Sequence, residues 1–122
     1  VLLFSGVLKT TTSPLSGIVK NIIPVPLPRW NGPSECLHLM SNLSPIDSNL
    51  FLVYSRLLPV QFIQYLVENK IKLIEVPFKE YETMACNVLA IAPREVIMLE
   101  GNPITKKLLR KEFLAFHFTL IN

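Results

Sequence analysis

LFLVYSRLLPVQFIQYLVENKIKLIEVP, running from Leu50 to Pro77, is the stretch whose reading decides the fold. Leu50 to Tyr54 is apolar throughout and reads as a buried strand. Pro59 then opens a helix, with Val60, Ile63 and Val67 expected on one face. Ile71 to Val76 forms the strand after it, closed by Pro77, which cannot extend a ladder.

Working outward toward the C-terminus, the same order returns. Asn87 to Ala92 reads as a strand, Pro93-Arg94 as a turn and Val96 to Leu99 as a second strand. Gly101-Asn102-Pro103 supplies a loop, an N-cap and a first-turn proline, and the helix that follows is expected to reach about Lys111. Leu114 to Leu120 is rich in strand formers. The helix-opening prolines Pro59 and Pro103 lie 44 residues apart; at that offset Leu52 and Val53 match Val96 and Ile97, and Ile71 falls on Ala115. A period of this size indicates a repeat architecture, in which each unit buries its apolar face on its neighbours.

Toward the N-terminus the pattern is less regular. Leu37 to Leu43 is expected as a strand and Ser44 to Asn49 as a long polar connection. Ser13-Pro14 starts a helix whose Leu15, Ile18, Val19 and Ile22 share a face. Pro24 ends it, Val25 to Leu27 continues extended, and Arg29 to Pro33 is a turn. The opening Val1 to Phe4 reads as a strand rather than a targeting segment, because Ser5-Gly6 stops it and no basic flank precedes it. Two complete units, 36–77 and 78–122, with a partial one at 1–35, form a single α/β domain that resembles an arc cut from a closed ring.

Half of the 122 residues are hydrophobic and 17% are charged, which excludes a disordered tail and fits a segment lying inside something larger. A first residue other than Met fits a piece of a longer chain. No apolar run reaches the roughly 20 residues of a membrane span. Cys36 and Cys86 make no disulfide framework, so a reducing, cytoplasmic setting is expected. A net charge of +3 is too small to argue for nucleic acid. Lys106, Lys107, Arg110 and Lys111 are read as a solvated face near a helix end, where cations offset the macrodipole.

Several runs carry a family resemblance. They are Pro26-Leu27-Pro28-Arg29-Trp30, Glu35-Cys36-Leu37-His38-Leu39-Met40-Ser41, Leu43-Ser44-Pro45-Ile46-Asp47, Cys86-Asn87-Val88-Leu89-Ala90 and Met98-Leu99-Glu100-Gly101-Asn102-Pro103. Between about Pro24 and Lys111 the chain resembles the guanidine-modifying superfamily of amidinotransferases, arginine deiminases and dimethylarginine dimethylaminohydrolases, and within it the last of these branches. The resemblance implies a five-bladed β/α propeller of ββαβ units, of which this chain is the C-terminal part. It implies hydrolysis of a guanidinium C–N bond through a Cys thiolate nucleophile and a His that moves the proton. It further implies a small guanidino substrate such as a methylated arginine, with no cofactor and no resident metal.

His38 stands where the family places its catalytic histidine. Lys9, in Lys9-Thr10-Thr11, is the nearest match to an Arg that meets the substrate carboxylate, although a lysine cannot reproduce a bidentate contact. Met40 fills the place where arginine deiminases carry a substrate-holding Asp. That departure weighs against arginine itself as the substrate and toward the dimethylarginine-hydrolase branch or an uncharacterised relative. The nucleophile is expected in a Gly-rich segment beyond the last repeated strand, and the acidic partner of the histidine well upstream of Val1. Cys86 lies in a stretch the family uses for packing, and Cys36 would share a strand face with His38. The family's last helix usually ends at a glycine, whereas Glu112 runs directly into Phe113.

Two other readings are open. Glu35, Cys36, His38 and His117 offer zinc donors, but no Cys-x-x-Cys or His-x-x-x-His spacing organises them. The competing non-enzymatic reading is a truncated propeller remnant that associates with itself or with a complementing chain through exposed apolar faces.

Overall fold

The computed structural model describes residues 3–5, 22–32, 34, 38–93, 95–112 and 117–121. The helix expected from Ser13 lies largely outside them, but its last residue does not. Ile22 belongs to a strand, β2 (Ile22–Pro24), paired in parallel with β1 (Leu3–Ser5).

Two three-stranded sheets follow, each built the same way. In the first, β3 (Leu43–Asp47) runs antiparallel to β4 (Leu50–Val53), and β4 runs parallel to β5 (Lys72–Glu75) across helix α2 (Val60–Glu68). In the second, β6 (Leu89–Ala92) is antiparallel to β7 (Glu95–Leu99). β7 is parallel to β8 (His117–Ile121) across α4 (Pro103–Glu112). Short helical turns, α1 (Leu39–Asn42) and α3 (Phe78–Tyr81), precede the first strand of each sheet. Each sheet with its crossing helix is a ββαβ unit.

The ladders repeat with one register. Ser44 faces Leu52 as Leu89 faces Ile97, Leu50 faces Lys72 as Glu95 faces His117, and both hairpins shift register at the corresponding step. All these positions differ by 45, not by the 44 that the prolines suggest. The prolines mislead because Pro59 is the N-cap of α2 whereas Pro103 is already inside α4. Leu52 therefore answers to Ile97 rather than Val96, and Lys72 to His117.

Three further expectations need correction. The strand expected from Leu37 to Leu43 is not formed at Leu39 to Asn42, which make a helical turn that suits the helix-favouring Leu-Met pair. The strand instead occupies Leu43 to Asp47, inside the supposed polar connection. Ser44 and Ile46 are buried there, and Pro45 is tolerated because β3 is an edge strand. Finally, α2 keeps its period but not its phase. Phe62 and Leu66 face the sheet, while Val60 and Val67 are exposed.

Helix α2 stops without glycine. Lys70 adopts φ 59°, and the amides of Lys70 and Ile71 donate to the carbonyls of Val67 and Leu66. These bonds satisfy last-turn carbonyls that the helix leaves open. Met84 (φ 60°) makes the corresponding turn after α3, with Ala85 N–H bonded to Glu80 O at 3.1 Å.

The core is layered by unit. Phe51, Val53, Phe62 and Leu66 join Leu39, Leu43 and Val25 in one cluster. Leu50, Leu52, Ile74 and Val76, on the other face of the same sheet, meet Ala85, Cys86 and Val88 of the next unit. The Leu50–Leu52 face of the first sheet is thus covered by the segment that opens the second unit.

Candidate functional site

Leu39 and Asn42 are buried and anchor the α1 turn against the core, which leaves His38 presented at its N-terminal edge. The backbone of His38 is extended (φ −91°, ψ 149°), its carbonyl accepts from Ser41 N–H at 2.9 Å, and its side chain makes no capping bond. The imidazole is exposed to solvent. A ring held on a buried turn, with no intramolecular task at the cap, can exchange a proton with a bound molecule.

The 45-residue register gives this position a counterpart. His38 corresponds to Thr83, whose hydroxyl donates to Asn102 Oδ1 at 2.6 Å and lies 3.0 Å from the Glu80 carbonyl oxygen. Asn102 returns three bonds at 3.2 Å from Nδ2 to the carbonyls of Thr83, Leu99 and Glu100. In the second unit this position ties a turn to the start of a helix. In the first, a histidine stands there, and among the described residues its side chain makes no capping bond.

Asn102 was expected to cap α4 with its side chain. Glu80 does so instead. Its buried carboxylate accepts from Ile104 N–H and Thr105 N–H at 2.8 Å each, and from the Thr105 hydroxyl at 2.7 Å. A negative charge suits the positive end of the helix, and the amides it binds have no intrahelical partner.

The two units are joined by polar contacts that the sequence did not announce. Ser44 Oγ donates to Cys86 O at 2.6 Å and accepts from Val88 N–H at 3.2 Å. Tyr81 O–H donates to the fully buried Asn42 Oδ1 at 2.9 Å, and its ring stacks on Tyr54 with centroids 4.0 Å apart. Asn42 and Asn87, like Glu35 and Glu80, are identical residues at the 45 offset, so an alignment at that spacing would have drawn attention to them.

Cys86 is buried, with its thiol 3.8 Å from Leu52 O. Burial, and secondarily the negative charge of Glu75, push its pKa up from 9.0 to about 12, against a smaller opposing hydrogen bond from the Tyr54 backbone. Such a thiol is not a nucleophile at neutral pH. It also links stability to pH. Because the folded pKa lies above the unfolded one, the neutral thiol's contribution is complete below about pH 9 and is lost as pH rises toward 12. Urea denaturation should show stability falling as pH rises above 9, and Cys86→Ala should remove the thiol's share of that fall, at most about 1.4 kcal/mol per pH unit.

Lys9, Glu35 and Cys36 lie outside the described residues, as does the His117 side chain; only the strand backbone of His117 is described. The expectation that Cys36 shares a strand face with His38 therefore falls outside the described residues. Met40 is exposed. Among the described residues, no three His, Cys, Asp or Glu side chains converge as a metal site would require. Of the basic cluster, Lys106 and Arg110 lie over the Phe118 ring at 5.6 and 5.3 Å, while Lys107 and Lys111 are exposed. No described helix is long and apolar enough to cross a membrane.

No protein-family model matches the sequence, and no curated protein matches it. Solved structures do match the fold. The N-terminal domain of ArgZ, an arginine dihydrolase of the ornithine–ammonia cycle in cyanobacteria, aligns with 98% of this chain at TM-score 0.74 and 16% identity. SxtG, an amidinotransferase of Microseira wollei in saxitoxin biosynthesis, aligns with 99% at TM-score 0.69 and 15% identity. DDAH from Pseudomonas aeruginosa, complexed with citrulline, aligns with 84% at TM-score 0.55 and 20% identity. The chain spans 43%, 36% and 33% of those chains respectively.

Proposed function

We propose that this chain, which has the fold of the guanidine-modifying enzymes, is part of such an enzyme and carries its proton-transferring histidine, His38. The observation that supports this most is the alignment of nearly the whole chain with the arginine dihydrolase domain at TM-score 0.74. The ββαβ units are then an arc of a β/α propeller, with the partial unit 1–35 leading into units 36–77 and 78–122.

The chemistry follows from the substrate class. A guanidinium is a resonance-stabilised cation, so breaking its C–N bond calls for a strong nucleophile, a proton for the departing amine and nearby negative charge. In this reading a Cys thiolate attacks the guanidinium carbon. His38 protonates the leaving amine and then takes a proton from the water that releases the product. Lys9 faces the substrate carboxylate. The buried Cys86 thiol is unsuited to the attack, and in this reading the nucleophile lies in the Gly-rich segment that the family carries beyond its last repeated strand. A methylated arginine is the substrate we favour, and the cytoplasm the setting. A non-catalytic remnant or association module is the second reading, favoured by the inertness of Cys86.

The test is to titrate the purified chain with arginine, methylated arginines, agmatine and citrulline. The His38 ring signals are followed by NMR, and ureido product and released amine are assayed. Shifted His38 signals are expected with at least one of them. Any turnover should vanish in His38→Ala. A folded chain that neither perturbs His38 nor turns over any of these compounds would reject the enzymatic reading in favour of the remnant.

A further inference from the structure

His38 stands on a turn whose far end is fastened by the next unit. Asn42 closes α1 and is fully buried. Its Oδ1 accepts from the Tyr81 hydroxyl at 2.9 Å, its Nδ2 lies 3.5 Å from Leu57 O, and its carbonyl accepts from Tyr54 N–H at 2.8 Å. The Tyr81 ring is held in turn by stacking on Tyr54, with 16° between the planes. At the near end of the turn, Ser41 N–H donates to the His38 carbonyl. A single helical turn is not stable on its own hydrogen bonds, so what fixes this one is the contact at Asn42.

The duplicate turn is not fastened in this way. Asn87 is the counterpart of Asn42 at the 45-residue offset, and although it is the same residue it is exposed. Leu99 stands where Tyr54 does, and Cys36 where Tyr81 does, so the stacked pair has no equivalent. Thr83, the counterpart of His38, is tied down through its own side chain by Asn102. The repeat thus departs from itself at the histidine's turn. There the holding contact has moved to the opposite end, and the imidazole stays exposed.

We infer that Tyr81 is a positioning residue for His38: its hydroxyl, acting through Asn42, fixes the turn that presents the imidazole to a bound guanidino molecule. This rests on the proton-transferring role proposed for His38 above. Proton transfer needs the two groups at hydrogen-bond distance, which calls for a ring held to within about 0.5 Å. An exposed ring is not held by packing around itself and must be held through its backbone. Without the Tyr81 hydroxyl, Asn42 Oδ1 loses a buried donor, and the turn regains one by opening to water.

Tyr81→Phe removes the hydroxyl and keeps the stack, and two NMR measurements on the chain follow the result. The backbone order parameter of His38 should fall from the rigid range near 0.85 to below about 0.6, while that of Leu52 in β4 stays rigid. Exchange of the Ser41 amide should quicken at least about tenfold. Tyr54→Phe, which removes the other hydroxyl of the stacked pair, should leave both values as in the wild type. His38 order or Ser41 exchange unchanged in a folded Tyr81→Phe chain would overturn the inference. So would a loss of order shared equally by Leu52, which means general loosening, or an equal effect of Tyr54→Phe, which means that the ring pair rather than the hydroxyl sets the turn. Neither measurement uses a substrate, so failure here leaves the enzymatic reading to its own titration.

Discussion

Glu80→Ala should lower the unfolding free energy by about 2–4 kcal/mol in urea denaturation, because one buried carboxylate satisfies three donors. Two of them are first-turn amides of α4, which a typical side-chain cap stabilises by about 1 kcal/mol. Here the cap is charged and shielded from water, which strengthens each bond. Alanine would leave the Thr105 amide and hydroxyl without acceptors in a fully buried setting. Gln at position 80 keeps one good acceptor but turns an amide group toward another donor, so Glu80→Gln should cost roughly half as much. Equal losses for Ala and Gln would show that side-chain packing, rather than capping, explains the residue.

Ser44→Leu should be at least as damaging, with an expected loss of about 3–5 kcal/mol, although leucine is the residue that the second unit carries at the same place. The substitution removes the hydroxyl that bonds Cys86 O and Val88 N–H, leaving two buried backbone groups unpaired. It also forces a large side chain into a fully buried site, which typically costs about 1–3 kcal/mol. Ser44→Ala isolates the hydrogen-bond part and should cost about 1–3 kcal/mol. If the junction opens, the urea transition of Ser44→Leu should also broaden, since the units then unfold with less cooperativity. An unshifted midpoint would mean that the junction tolerates the larger side chain by moving apart.

These two residues illustrate what the sequence could and could not disclose. The alternation of strand, strand, helix and strand was readable because proline and glycine mark the ends of apolar runs at Pro59, Pro77, Gly101 and Pro103. The strand at Leu43 to Asp47 was missed because its buried members include a serine, and its middle holds a proline. The value of Ser44 lies in two backbone groups 42 and 44 residues away, which no local pattern encodes. Glu80 was passed over for the same reason. Asn102 sat at the customary capping place, yet a carboxylate more than 20 residues upstream reached the amides first. The phase of α2 was misjudged because Val60, Ile63 and Val67 are as apolar as Phe62 and Leu66, so periodicity alone could not choose the inward side. His38 was located by resemblance, and the helical turn that presents it was not foreseen.

The register that relates the two units also bears on how the chain acquires its structure. The side-chain bonds that join the first unit to the second span no more than 44 residues, and the pairings within each sheet span fewer. Short spans make loop closure cheap and folding rapid. During synthesis, β3, α2 and β5 can assemble as soon as Glu75 has emerged, and they then offer a finished apolar surface to the segment still being made. Either unit can therefore serve as the template on which its neighbour condenses, and during synthesis the first is complete earlier.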